Sequence, residues 1–129
     1  MMIRADADTT DRWKVDVQIF GIQKSTDTRK ALRFFKERRA KVHFMDLKVR
    51  AASKGELTRF VQKFGVEAIL DRESKRFQTM GLGSAYYSDQ KWLELLAEEP
   101  LLLKMPLVRH KNLLTVGVVE EVWKEWMDR

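Results

Sequence analysis

Ser25 stands where an alternating apolar segment gives way to a strongly cationic helical pattern. Its hydroxyl can join Lys24, Arg29 and the free amides of a first helical turn around an anion. Asp27 falls in the same turn and opposes such an anion; it suits a helix that satisfies its own end. As a nucleophile Ser25 would need a general base, because a serine hydroxyl titrates far above the range a helix terminus can reach. The only histidines are His43, in an expected strand, and His110, in an expected hairpin turn, and the sequence places neither beside Ser25. A Ser–His hydrolase is therefore set aside, and the hydroxyl reads first as an N-cap for orphan backbone amides.

The chain contains no cysteine. That absence removes disulfides, thiolate metal sites and thiol catalysis together. Two distant histidines and no carboxylate cluster of ligand spacing leave no case for a metal. Met45, Met80, Met105 and Met127 read as packing residues, as do Trp92, Trp123 and Trp126, which recur at helical spacing with other apolar residues. Trp13 falls in a polar opening segment.

The elements that must position these residues follow from periodicity. Residues 1–14 lack it and read as a flexible tail, leaving one domain over 15–129. Val15, Val17 and Ile19 alternate with polar residues and end in Phe20-Gly21, a strand and a turn. Ala31, Leu32, Phe34 and Phe35 then mark the buried face of a helix whose wet face is lysine and arginine. Val42 and Phe44 indicate a second strand that Leu47 could extend, and a crossover of this length favours parallel pairing. Ser53 and Glu56 have capping-box spacing ahead of Leu57, Phe60, Val61 and Phe64, with Gly65 closing that helix. A short helix is expected over 66–70, irregular chain over 71–87, and a helix from Ser88 that Pro100 stops. Leu107-Val108 and residues 113–116 bracket a hairpin turn, and Gly117 leads to a last helix with Val119, Val122, Trp123 and Trp126 on one face.

Length and composition set outer bounds. The 129 residues, 44% hydrophobic and 34% charged, suit a single domain with a real core and a solvated surface. No apolar run approaches the roughly 20 residues of a membrane span. The opening residues contain no apolar h-region, so a signal peptide is not expected and the default compartment is the cytoplasm. The net charge of +6 lies in the folded domain, since the first fourteen residues balance to zero. A charge this modest reads first as solubility, and second as attraction for nucleic acid or an acidic protein.

The order of short motifs carries more. The segment Phe20-Gly21-Ile22-Gln23-Lys24-Ser25-Thr26-Asp27-Thr28-Arg29-Lys30-Ala31 resembles the active-site turn of the arsenate reductase/Spx family. Asp71-Arg72 followed by Phe77 is similar to that family's Thr-Arg segment and its following apolar residue. Residues 98–108, with Lys104, Met105 and Pro106, are similar to the family's run of leucines, basic residues, proline and strand, and Gly117 to a glycine before its final helix. The resemblance covers about residues 15–129. It implies an α/β, thioredoxin-like fold with a mixed four-stranded sheet and an inserted helical subdomain, and a cis Pro106 facing the Ser25 turn.

It also marks departures. The family's redox cysteine corresponds to Ser25, and the second cysteine of the Spx-type pair to Thr28. The arginine before the cis proline corresponds to Met105, and a further arginine after the hairpin to Val116. Arg72 survives from the oxyanion set, and Lys104 lies one residue from a lost position. The resemblance thus implies a non-redox binding or regulatory protein. An active arsenate reductase is not expected from a chain with serine at the nucleophile position. Since Spx-type members bind the RNA polymerase α subunit, the resemblance offers that subunit as a partner. The alternative is a glutathione- or thiol-dependent enzyme with an anion site at the Ser25 turn. No resident cofactor is expected outside that alternative, and direct nucleic-acid binding ranks last because no aromatic residues interleave with the basic ones.

Overall fold

The computed structural model describes residues 15–128; the expected tail over 1–14, with Trp13, lies outside them. Strand β1 (Asp16–Gly21) leads into helix α1 (Thr26–Glu37) and strand β2 (Lys41–Asp46). Four helices follow: α2 (Lys54–Phe64), α3 (Val66–Ile69), α4 (Lys75–Thr79) and α5 (Asp89–Glu98), with 3-10 turns at Leu82–Ser84 and Pro100–Leu102. The hairpin of β3 (Leu107–His110) and β4 (Leu113–Val116) and helix α6 (Glu120–Met127) complete the chain.

The sheet has the order β2-β1-β3-β4. β1 pairs in parallel with β2, Ile19 opposite Phe44, and antiparallel with β3, Phe20 opposite Leu107. This is the mixed four-stranded sheet expected from the motif order, and β1 is central in it. Alternation along β1 feeds two cores. Val17 and Ile19 join Ala31, Phe34 and Phe35 of α1 and Trp123 and Trp126 of α6 on one face. Phe20 joins Leu57, Phe60, Ile69, Trp92, Leu96 and Leu107 under the helical insert on the other. The buried Trp123 indole donates to Thr115 Oγ1 at 2.8 Å, so its polar edge is satisfied inside the core.

The local stop and start signals act as their chemistry dictates. Ser53 and Glu56 form a reciprocal capping box on α2, and Ser88 accepts from the Lys91 amide to start α5. Gly117 takes φ 77, the left-handed turn that sends the chain into α6. The Met105–Pro106 peptide is cis, as the resemblance implies.

Four expectations need correction. The stretch 71–87 is not irregular throughout: Ser74 accepts from the Phe77 amide and caps α4, which is too short to show a period. Phe64 and Val122 share apolar spacing with buried neighbours but lie at the margins of their helices and stay exposed. Met80 is exposed rather than packed. His110 is the last residue of β3, not a turn residue; it is buried against Trp126, with Nδ1 3.0 Å from the Asp16 carbonyl.

The end of β1 meets α1 without clearance. A Cβ on Gly21 would lie 2.3 Å from Thr28 Oγ1 and 2.7 Å from Thr28 Cγ2. Thr28 is fully buried there, and its hydroxyl makes no hydrogen bond to the described residues. Gly21→Ala is expected to cost about 1–3 kcal/mol through overpacking, and Thr28→Ala in the same chain should recover part of that loss. A urea double-mutant cycle measures the coupling; additive effects would show that the two side chains do not compete for this space.

Candidate functional site

The Ser25 turn is built by the exit from β1. Ser25 donates its backbone amide to the Ile22 carbonyl at 3.1 Å, which closes the turn. Its half-buried hydroxyl accepts from the Thr28 amide at 3.1 Å, the N-cap bond expected from its position. Lys24 is exposed in the turn. Arg29 folds back, donating to the Gln23 carbonyl at 2.6 Å and lying 3.3 Å from Thr26 Oγ1. Thr28 points away from solvent, against Gly21. The turn thus presents a self-capped helix end with an exposed lysine and an arginine engaged with its own loop.

The remaining candidates gather elsewhere on the helical insert. Arg72 donates from Nε and Nη2 to the two carboxylate oxygens of Glu67, at 2.8 and 2.6 Å. Its guanidinium also lies 5.4 Å from the Phe77 ring centre and 5.8 Å from that of Trp92. Lys104 is exposed; its amide donates to the Ile69 carbonyl, which ties its segment to the end of α3. Pro106 is buried, and its carbonyl accepts from the Gly117 amide at 2.8 Å. Among the described residues no hydrogen bond or ion pair joins the Lys24–Arg29 group to the Arg72–Lys104 group.

The electrostatics follow from this pairing. The hydrogen bonds from Arg72 hold the Glu67 carboxyl below its ordinary range against the opposing effect of burial, and the charges of Arg72 and Lys104 act in the same direction as the hydrogen bonds. The same bonds push the Arg72 guanidinium up. Glu67 is the residue that sequence reasoning missed. It lies five residues before Arg72, across the end of one helix and a turn, a spacing that belongs to no periodic pattern.

A general base for Ser25 is absent from the described residues around it. Both histidines belong to the opposite end of β1: His43 Nε2 lies 2.8 Å from the Asp16 carboxylate, and His110 contacts the Asp16 carbonyl. No group of three or more His, Asp or Glu among the described residues could hold a metal ion. No described helix is long and apolar enough to cross a membrane.

Central β1, parallel β2, the antiparallel hairpin and the cis proline define a thioredoxin-like α/β fold with an inserted helical subdomain. The ArsC family model matches residues 20–126, and the chain belongs to the ArsC family. Its fold is similar to that of the YffB protein (20% identity, TM-score 0.79, covering 86% of this chain and 98% of that one). It is also similar to an arsenate reductase from Vibrio cholerae (23% identity, TM-score 0.75, 87% and 98%). A third likeness is to an arsenate reductase (ArsC) related protein from Brucella melitensis (21% identity, TM-score 0.62, 88% and 96%). No curated protein matches the chain.

Two outcomes are expected here. Ser25→Ala should lower stability by about 1 kcal/mol, read from urea unfolding, because the Thr28 amide loses its acceptor. An NMR titration should find the Glu67 carboxyl below its ordinary value in the native protein and back near it in Arg72→Ala. Because the folded value is the depressed one, the pair's stabilisation is present above the unfolded carboxyl's pKa and is lost as pH falls through the folded one. The stability gap between native protein and Arg72→Ala should therefore close in acid, and a gap that widens there would contradict the pairing.

Proposed function

We propose that this ArsC-family chain is a non-redox binding or regulatory protein of the cytoplasm and that its partner is a protein. The supporting observation is the state of the Ser25 turn: a chain without cysteine has a hydroxyl there, and that hydroxyl caps its own helix. A thiolate attacks an oxyanion or a disulfide because sulfur is polarisable and ionises at a helix end; a capping hydroxyl with no base beside it does neither. The arginine retained from the oxyanion set is held by Glu67 instead of standing free for a ligand. The RNA polymerase α subunit is the first partner to try, on the strength of the family resemblance.

The protein is expected to give no arsenate reduction with glutathione and glutaredoxin above a control without enzyme. Turnover would support the alternative, an external-thiol enzyme with an anion held near Ser25, Arg29 and Arg72. Ser25→Cys should fold and should show a thiol pKa below the free value of about 8.5, as a helix N-terminus dictates. It should still fail to reduce arsenate, because Met105 and Val116 offer no guanidinium to clamp the oxyanion. Strong activity restored by that one substitution would overturn the binding reading. For the partner, calorimetric titration against the isolated C-terminal domain of the α subunit is expected to show saturable binding; its absence would remove that partner and leave the thiol-less reading standing.

A further inference from the structure

The densest run of positive charge in the chain lies in one helix, the turn that follows and the first residue of β2. Residues 29–41 hold seven lysines and arginines against Glu37 alone, a net +6, and the whole chain of 25 cations and 19 acids also nets +6. The rest of the molecule sums to zero because a second cationic run, five lysines and arginines against Glu56 over residues 48–63, is offset by acids elsewhere, among them the exposed Glu120, Glu121 and Glu125 of α6, which packs beside α1. A surface charged only for solubility intersperses its ions in both signs, and residues 29–41 do not.

Helix stabilisation accounts for only part of the cluster: Lys36, Arg38 and Arg39 lie at the C-terminal end of α1, where the dipole favours cations. Arg29 and Lys30 lie in the N-terminal half of α1, where the helix dipole disfavours cations. Arg39 takes φ 63, a left-handed position that glycine fills without strain, yet an arginine stands there. Arg33, Lys36, Arg39 and Lys41 are exposed and make no ion pair among the described residues; the one pair in the segment is Lys30 with Asp27, at 4.0 Å. Arg33 and Lys36 lie along the exposed side of the helix, on the face that Arg29 begins four residues earlier with its guanidinium tied back to the Gln23 carbonyl.

We infer that this face of α1 and the turn to β2 is a docking surface for the phosphate backbone of double-stranded nucleic acid, bound without regard to sequence. Charge complementarity identifies the class of ligand, and what the face lacks narrows it. A protein interface is centred on buried apolar or aromatic anchors, and here Phe34 and Phe35 are turned into the core with Arg38 laid over the Phe34 ring at 3.8 Å. Single strands need aromatic platforms for stacked bases, and the exposed aromatics Tyr86, Tyr87 and Phe64 lie in the helical insert. Base edges are read by amide and hydroxyl groups as well as by arginine, and the stripe carries only lysine and arginine. A rod of cations without anchors or readers fits a regular ladder of phosphates. This inference is independent of the role proposed for the Ser25 turn, and either can fail without the other.

The test is fluorescence anisotropy with a labelled 20-base-pair duplex of arbitrary sequence. Saturable binding is expected at 50 mM salt, weakening about 150-fold by 200 mM if four phosphates are neutralised. The variant Arg33→Ala/Lys36→Ala/Arg39→Gly/Lys41→Ala should lose at least about tenfold in affinity and most of the salt slope. A control of equal charge, Lys54→Ala/Arg59→Ala/Lys63→Ala/Lys75→Ala, should change affinity less than about threefold. Circular dichroism and thermal melting establish that both variants are folded. Equal losses in the two variants, or no binding to the duplex up to about 100 µM at 50 mM salt, overturn the inference. So does a glutamate-rich 16-residue peptide that binds this face more tightly than the duplex, since the ligand would then be an acidic protein segment.

Discussion

Everything in this fold is referred to β1. It is paired on both edges, in parallel with β2 and antiparallel with β3, so its backbone groups are satisfied within the sheet and its two faces are free to seed two cores. Val17 and Ile19 draw α1 and α6 to one side, and Phe20 draws the helical insert to the other. Its last residue must be glycine for a physical reason: Thr28 occupies the space a side chain would need. That contact brings the first turn of α1 down onto the strand end. The hydrogen bond from the Ser25 amide to the Ile22 carbonyl then fixes the capping hydroxyl one turn away. The register of β1 with β3, Phe20 opposite Leu107, brings Pro106 to the same end of the sheet. The location of the site is therefore a consequence of the central strand and not of any residue in the site.

The parts of this arrangement legible from sequence are those governed by local rules. Ser25, Ser53 and Ser88 each precede an apolar period and each caps a helix, because an N-cap needs only a hydroxyl and an amide three residues on. Ser74 obeys the same rule, but the helix it starts has five residues and one buried side chain, too few to repeat. Period also says which way a helix faces without saying where that face ends. Val122 and Phe64 have the right spacing and lie past the margin of what α6 and α2 cover. The Glu67–Arg72 pair was beyond reach for a related reason: it joins two consecutive elements through a turn whose path no pattern encodes. The family resemblance implied the fold, yet it could not say that Arg72 has a carboxylate beside it.

Two arginine environments in this chain show how position decides what a cation does. Arg72 is bidentate to Glu67 and sits near two aromatic rings; fork geometry and ring proximity both tie its guanidinium down. As an exposed pair this adds little stability, but it takes the charge out of circulation for a ligand. Among the described residues Arg33 pairs with no carboxylate or ring, and the neighbouring cations of α1 raise the local potential together. Net charge alone, the quantity visible in composition, does not distinguish the two cases. Its distribution along the chain does.

The Ser25 turn also indicates in which direction the site has settled. Serine and cysteine differ by one atom, but oxygen is the better cap: it accepts a short, directed bond from an amide where sulfur accepts a weak one. Serine at this position therefore supports the end of α1 in a way cysteine would not. Asp27 points the same way. A carboxylate in the first turn favours the positive pole of a helix with no ligand, and it repels a thiolate or an oxyanion brought to that pole. A site kept for anion chemistry would keep that position free of negative charge. Here the N-cap and the arginine folded onto its own loop each satisfy a group that a bound anion would otherwise satisfy, and the first-turn acid favours the helix pole without one. Reversing only the serine would restore a nucleophile to a turn whose other residues still stabilise the unliganded state.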